Sequence, residues 1–194
     1  MIFLFVTAFC RATLDSGLKS WVPSMIKDNY PVSASFATLL TTVLICVNLT
    51  GAFIATFIYP KHIKNAVRAL SACFVAAIPF MVVLLWTGKI SVALVVLALT
   101  VITTIMYAGH QLQNIIIPSR FSKFGREGSV SSILNAFASF GVVAANFGFG
   151  FMAENFGWTV TVVSWIVIAV VAFLFATVAA SCWKRFFKKR GEAL

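Results

Sequence analysis

Arg11, Asp15 and Lys19 stand four residues apart in the stretch FCRATLDSGLKSWVP, directly after the apolar N-terminus MIFLFVTA. At about 100° per residue, each step of four turns a helix by about 40°, so the three charges form one ladder. Asp15 can pair with Arg11 one turn earlier and with Lys19 one turn later, leaving one cation in excess. A planar guanidinium suits a carboxylate or a phosphate, and Asp15 is the one acidic group deep in an apolar run, hence the obvious side-chain proton carrier. The two flanking cations oppose that role, because they stabilise the charged carboxylate. His110 is the second titratable candidate for proton coupling, and a hydrogen-bonded packing role competes with it.

These groups sit in a chain that water cannot dissolve easily. Of 194 residues 61% are apolar and only 10% charged, against about 25% charged in an ordinary soluble domain. The mean hydropathy is +1.00. The expected solvent is therefore the lipid bilayer. Cys10, Cys46, Cys73 and Cys182 are far apart within apolar runs. They read as small buried hydrophobes, with neither a metal site nor a disulfide frame implied. The run Ile2–Cys10 has the length of a signal peptide but no preceding Lys or Arg, and bulky Phe9 is wrong for a lipoprotein cleavage site. It is expected to belong to the mature protein.

Six apolar stretches reach the length of about 20 residues that a bilayer-crossing helix needs. They cover about 1–26, 34–59, 66–86, 90–117, 129–152 and 158–182, within a bundle of residues 1–183 followed by a basic tail, 184–194. The first is interrupted by its charges and Pro23; Pro60, the TGK sequence and Pro118 end the next three, and AENFG separates the last two. Continuous apolar runs exclude a β-barrel, whose strands alternate.

The cations choose an orientation. Lys61, Lys64 and Arg68 follow the second stretch, Arg120, Lys123 and Arg126 the fourth, and Lys184, Arg185, Lys188, Lys189 and Arg190 the sixth. The opposite loops hold Lys27 and Lys89. The positive-inside rule makes the first group cytoplasmic, together with both ends of the chain. The net charge of +10 is explained by orientation, and no nucleic acid is expected. The tail sequence WKRFFKKRG reads most simply as a stop-transfer anchor, with anionic headgroups as a second possible partner.

Polar stripes then divide the helices. Thr100, Thr103, Thr104, Tyr107, Gln111 and Asn114 share one face of the fourth stretch, with His110 at its edge. Ser132, Asn135, Ser139 and Asn146 share a face of the fifth, and Thr38, Thr41, Asn48 and Thr56 do so loosely on the second. Because polar groups are kept from lipid, stretches one, two, four and five are expected to surround a polar pathway. Three and six would stand outside and could face lipid all round. For any single Asn or Thr, helix-to-helix hydrogen bonding is the simpler role. Arg11 lies about 15 Å from the start of its helix, near mid-membrane, where an arginine points to function.

The chain resembles the C-terminal half of a major facilitator superfamily transporter over essentially its whole length. The branch it is most similar to contains organophosphate and sugar-phosphate antiporters. SGLKSWVPSMI resembles the Gly, Trp and Pro of that branch's seventh helix, IPSRFSKFGREGSVSSILNAFASFG its fourth-to-fifth connection, and ENFGW the turn before its last helix. The resemblance implies an all-α membrane protein whose six transmembrane helices form one half of that fold. It also implies a secondary transporter, antiporter-like, moving a small polar, anionic metabolite by alternating access. The substrate pathway would include Arg11, Asp15, Lys19, Trp21, Asn48, Tyr107, Gln111, Asn114, Asn135 and Asn146. Two departures stand out: Asp15 occupies the place of an arginine in phosphate-transporting members, and the Gly-x-x-x-Asp-Arg/Lys loop motif keeps Gly51 but has Ala55 where the aspartate belongs.

Twelve-helix transporters bind substrate between two six-helix halves, so the expected partners are a missing N-terminal half or a second copy, besides lipid and a small-molecule substrate. Fragment, split gene product and dimerising half all remain open. The expected location is a bacterial plasma (inner) membrane. No cofactor, metal or enzymatic activity is expected: the GxSxG of an intramembrane serine protease and the threefold Pro-x-Asp/Glu-x-x-Lys/Arg repeat of mitochondrial carriers are both missing. A non-transporting scaffold or regulatory half-transporter is the alternative.

Overall fold

A computed structural model describes residues 2–58 and 65–188. The end of the second stretch at residue 59, Lys61, His62 and Lys64, and the tail from residue 189 lie outside the described residues, as does the side chain of Thr41. Among the described residues the fold is all-helical, without strands. Helix α1 spans Ile2–Asn29, α2 Ala34–Phe53, α3 Ala66–Val83, α4 Val92–Gln111 and α5 Glu127–Lys188.

Local chemistry explains the starts and stops. Ser33 caps α2 by accepting from the Phe36 N–H at 3.2 Å. Asn65 caps α3 through the N–H groups of Val67 and Arg68. Such caps supply partners to helix-start donors that have none. Gly157 breaks α5 with φ 80 and ψ 173, a conformation closed to residues with a Cβ. The helix is thereby divided into a first arm, 127–156, and a second, 158–188.

Contacts between ends reveal the course of the chain. Phe5 stacks on Phe137 at 4.9 Å and Phe3 meets Phe175 at 6.0 Å. Trp158 Nε1 donates to Asp28 Oδ2 at 3.0 Å. The first arm of α5 therefore runs parallel to α1, and the second arm returns antiparallel. Asn65 donates to the Ala180 carbonyl at 3.2 Å, and Phe121 packs edge-on against Trp183 at 5.5 Å. At the opposite end Tyr30 Oη donates to the Ile90 carbonyl and accepts from the Gly88 N–H. One end thus carries Arg68, Arg120, Lys123, Arg126, Lys184 and Arg185, and the other Lys27 and Lys89. The sorting of charge expected from the sequence is a property of the fold.

Among the described residues, four stretches are long and apolar enough to cross a membrane: Ser35–Phe57, Ala66–Trp86, Val92–Phe124 and Glu127–Phe186. The last is interrupted by the Gly157 turn. Helix α1 is not one of them, because three charges fall in its middle. Such helices are compatible with a membrane protein.

Several expectations need correction. Neither the charges nor Pro23 breaks α1, which continues to Asn29. Buried Val22, Met25 and Ile26 hold the turns around the proline, so packing outweighs one lost backbone hydrogen bond. AENFG is not a loop: helix continues to 156, and Gly157 alone makes the turn. The two helices that could have faced lipid all round each bury one side. Phe74 and Leu70 of α3 are buried, as are Trp165, Ala169, Ala172 and Ala176 of the second arm. Cys46 and Cys182 are exposed, whereas Cys10 is buried.

Helices α2 and α4 each widen into a π-turn near the basic end, Ile54–Ile58 and Leu112–Ile116. In both cases a proline, Pro60 or Pro118, follows two residues later. Pro118 cannot donate to the Asn114 carbonyl and its ring crowds that oxygen. Inserting one residue into the turn relieves the conflict.

Candidate functional site

The charge ladder forms, but its three members have different surroundings. Arg11 is 2% exposed and turns toward α4. Its Nε donates to Gln113 Oε1 at 3.2 Å. A Cβ at Gly109 would be in ordinary contact with Arg11 Cδ at 3.9 Å but tight against Leu70 Cδ1 at 3.2 Å, so the glycine eases the packing of α3 rather than the placing of Arg11. Asp15 lies one turn further along, with Oδ2 3.8 Å from Arg11 Nη1. That is an ion pair without a hydrogen bond. Lys19 is the tight partner, its Nζ 2.8 Å from Asp15 Oδ1 and 2.9 Å from Oδ2.

Lys19 also lies 5.3 Å from the centroid of the Tyr107 ring, within cation–π range. The Tyr107 ring stacks on His110 at 5.9 Å and 16°. Asn114 Nδ2 is 3.4 Å from His110 Nδ1 and 3.3 Å from Nε2. Equal distances place the amide over the imidazole face, since an in-plane approach would press it against Cε1. The Lys19 side chain is 30% exposed and that of Asp15 15%; Tyr107, His110 and Asn114 are half-buried. The accessible part of the cluster is thus an ion pair beside an aromatic and amide wall.

The other expected pathway residues are placed elsewhere. Asn48 is 1% exposed, and its Oδ1 accepts from Thr103 Oγ1 at 2.8 Å and Thr104 Oγ1 at 3.3 Å. It bolts α2 to α4 where Gly51 lets the two backbones approach, a packing role. Asn146 Oδ1 accepts from Ser20 Oγ at 3.0 Å, toward the end that carries Lys27. Trp21 packs beside Gly150 of the same interface. Asn135 is exposed on the first arm of α5, and Gln111 is half-buried. Arg11, Asp15, Lys19, Tyr107, His110 and Asn114 are therefore brought together; Trp21, Asn48, Asn135 and Asn146 stand apart from them.

Gln113, the partner of Arg11, was not on the polar stripe expected for α4. Extrapolating 100° per residue fails at Leu112–Ile116 because a π-turn holds an extra residue. Pro118, four residues beyond Asn114, was the available signal. Among the described residues, Arg11 Nη1, Gln113 Nε2 and Asn114 Oδ1 are buried without a hydrogen-bond partner. Such groups call for an ordered water or a ligand. Among the described residues there is no group of three or more His, Cys, Asp or Glu able to hold a metal ion.

Gln113→Leu leaves the Arg11 Nε–H unpaired inside the bundle and is expected to cost about 2 kcal/mol. Thermal unfolding in detergent checks this; a midpoint equal to that of the unchanged chain would remove Gln113 from the account. No protein-family model and no curated protein matches the chain.

Proposed function

We propose that the chain is one six-helix half of a secondary transporter of the major facilitator type, nearest to the organophosphate and sugar-phosphate antiporter-like branch. It carries a small polar, anionic metabolite by alternating access, its basic end faces the cytoplasm, and a second six-helix unit completes the pathway. The observation that carries the reading is Lys19. It sits two-thirds of the way along α1, paired with Asp15, with a side chain 30% exposed on the isolated unit. Such a group cannot face hydrocarbon cheaply. A polar pathway and a second unit give it both water and an anionic ligand. Tyr107 and His110 of α4, with Asn114 in the π-turn that follows, form the wall beside Lys19. Arg11, sequestered by Gln113, tunes the ladder from behind rather than touching substrate.

The test uses the purified chain in detergent and a panel of phosphorylated and carboxylated metabolites. A true ligand at 100 times its Kd adds about 2.7 kcal/mol of stability. Stabilisation by at least one member is expected, lost in Lys19→Met and partly kept in Lys19→Arg. A chain indifferent to the whole panel is the non-transporting scaffold.

A further inference from the structure

At the basic end a cleft of about 730 Å³ opens between the start of α1, the segment before α5 and the end of its second arm. Phe3, Phe5, Phe121, Ile133, Trp183 and Phe186 form its walls, and Arg126 and Ser129 stand in its lining. Phe121 meets Trp183 edge-on and Phe186 at 6.3 Å, so the floor is an aromatic surface of the kind found at membrane interfaces. The volume suits one small ligand or one acyl chain.

Among the described residues, Arg126 is the one charged residue in the lining. It is exposed, as are Arg120, Lys184 and Arg185 at the same end outside the lining, and none of the four forms an ion pair with another described residue. Arg126 directly precedes the first turn of α5, where the N–H groups of the opening residues have no intrahelical acceptor. A Cβ added at Gly128 would meet nothing within 4 Å, so that turn is open to a headgroup. Glu127 is exposed and is not part of the lining.

We infer that this cleft is a binding site for an anionic glycerophospholipid. One acyl chain lies along the aromatic floor, and the phosphate is held by the Arg126 guanidinium and the start of α5. The juxtaposition of charge and apolar depth selects this occupant: a zwitterionic lipid carries the same phosphate but brings its own ammonium against the cations of this end, and a free phosphate leaves the aromatic walls in contact with water. The site is separate from the charge ladder and does not depend on transport.

The experiment is a native mass-spectrometric titration of the full chain, released from nanodiscs, with phosphatidylglycerol and phosphatidylcholine of identical acyl chains. Phosphatidylglycerol is expected to bind at least fivefold more tightly, since one interfacial arginine contributes about a fivefold factor. Arg126→Gln should erase that preference, and Cys182→Trp, which fills the cleft from its wall, should release both lipids. Inorganic phosphate at millimolar concentration should leave lipid binding unchanged. Equal affinities, or a preference that survives in Arg126→Gln, would overturn the proposal. Full competition by phosphate would make the site one for free anions, and a lipid-free dimer sealed through the cleft would give it to a second copy; either result overturns it.

Discussion

Asp15→Ala is expected to destabilise the helix bundle by about 3 kcal/mol, the lower end of the range for breaking a buried ion pair. The lower end applies because Lys19 retains access at the surface, with a side chain 30% exposed. Arg11 has no such escape: it is 2% exposed, and after the substitution it keeps its hydrogen bond to the neutral Gln113 Oε1 but has no counter-charge beside it. Two cations then remain on one helix face without a counter-charge. Arg11→Met in the same chain removes the stranded guanidinium, so the double variant should be more stable than Asp15→Ala alone. Guanidinium unfolding of the four chains in detergent closes the cycle. Strict additivity would mean that Arg11 and Asp15 do not act as a pair, and the 3.8 Å separation would then be mere proximity.

Gly141→Ala is the second large effect, at about 2 kcal/mol of destabilisation from overpacking. A Cβ at Gly141 would run into the Phe9 carbonyl and lie 2.9 Å from Thr13 Oγ1. The Thr13 hydroxyl already fills this interface, its one hydrogen shared between the Phe9 carbonyl at 2.9 Å and the Gly141 carbonyl at 3.2 Å. The neighbouring obstacles are backbone and a pinned hydroxyl, so α1 and the first arm of α5 would have to separate. Gly148→Ala is the control, seven residues along the same arm, where a Cβ would meet nothing within 4 Å. There the better helix propensity of alanine should add up to about 1 kcal/mol. Thermal midpoints that move together, in either direction, would show that composition rather than close approach governs this arm.

Helix positions were legible because apolar runs of membrane length leave little room for another structure. The grouping of cationic loops at one end was legible for the same reason. Helix ends were less so. AENFG contains a glycine, an asparagine and a charge, and reads as a loop, yet only Gly157 leaves helical geometry. Of the ladder, the Asp15–Lys19 pair followed directly from four-residue spacing. The division between Arg11 and Lys19 did not, because burial depends on which helix packs behind each residue. Asn48 illustrates the same limit: its side chain fits a pathway or a helix joint equally well until Thr103 and Thr104 are found against it. Gln113 was hidden by periodicity itself, since the π-turn moves it off the face that regular spacing assigns.

The Gly157 turn has a consequence for how the chain is made. In a bilayer, the first arm of α5 is the costlier passenger, with Ser132, Asn135, Ser139 and Asn146 exposed along it. The second arm, rich in valine, alanine and phenylalanine, partitions readily. With no hydrophilic stretch between them, the two arms cannot be released from a translocon far apart in space or time. They should enter the lipid as one hairpin, the apolar arm carrying the polar one in with it.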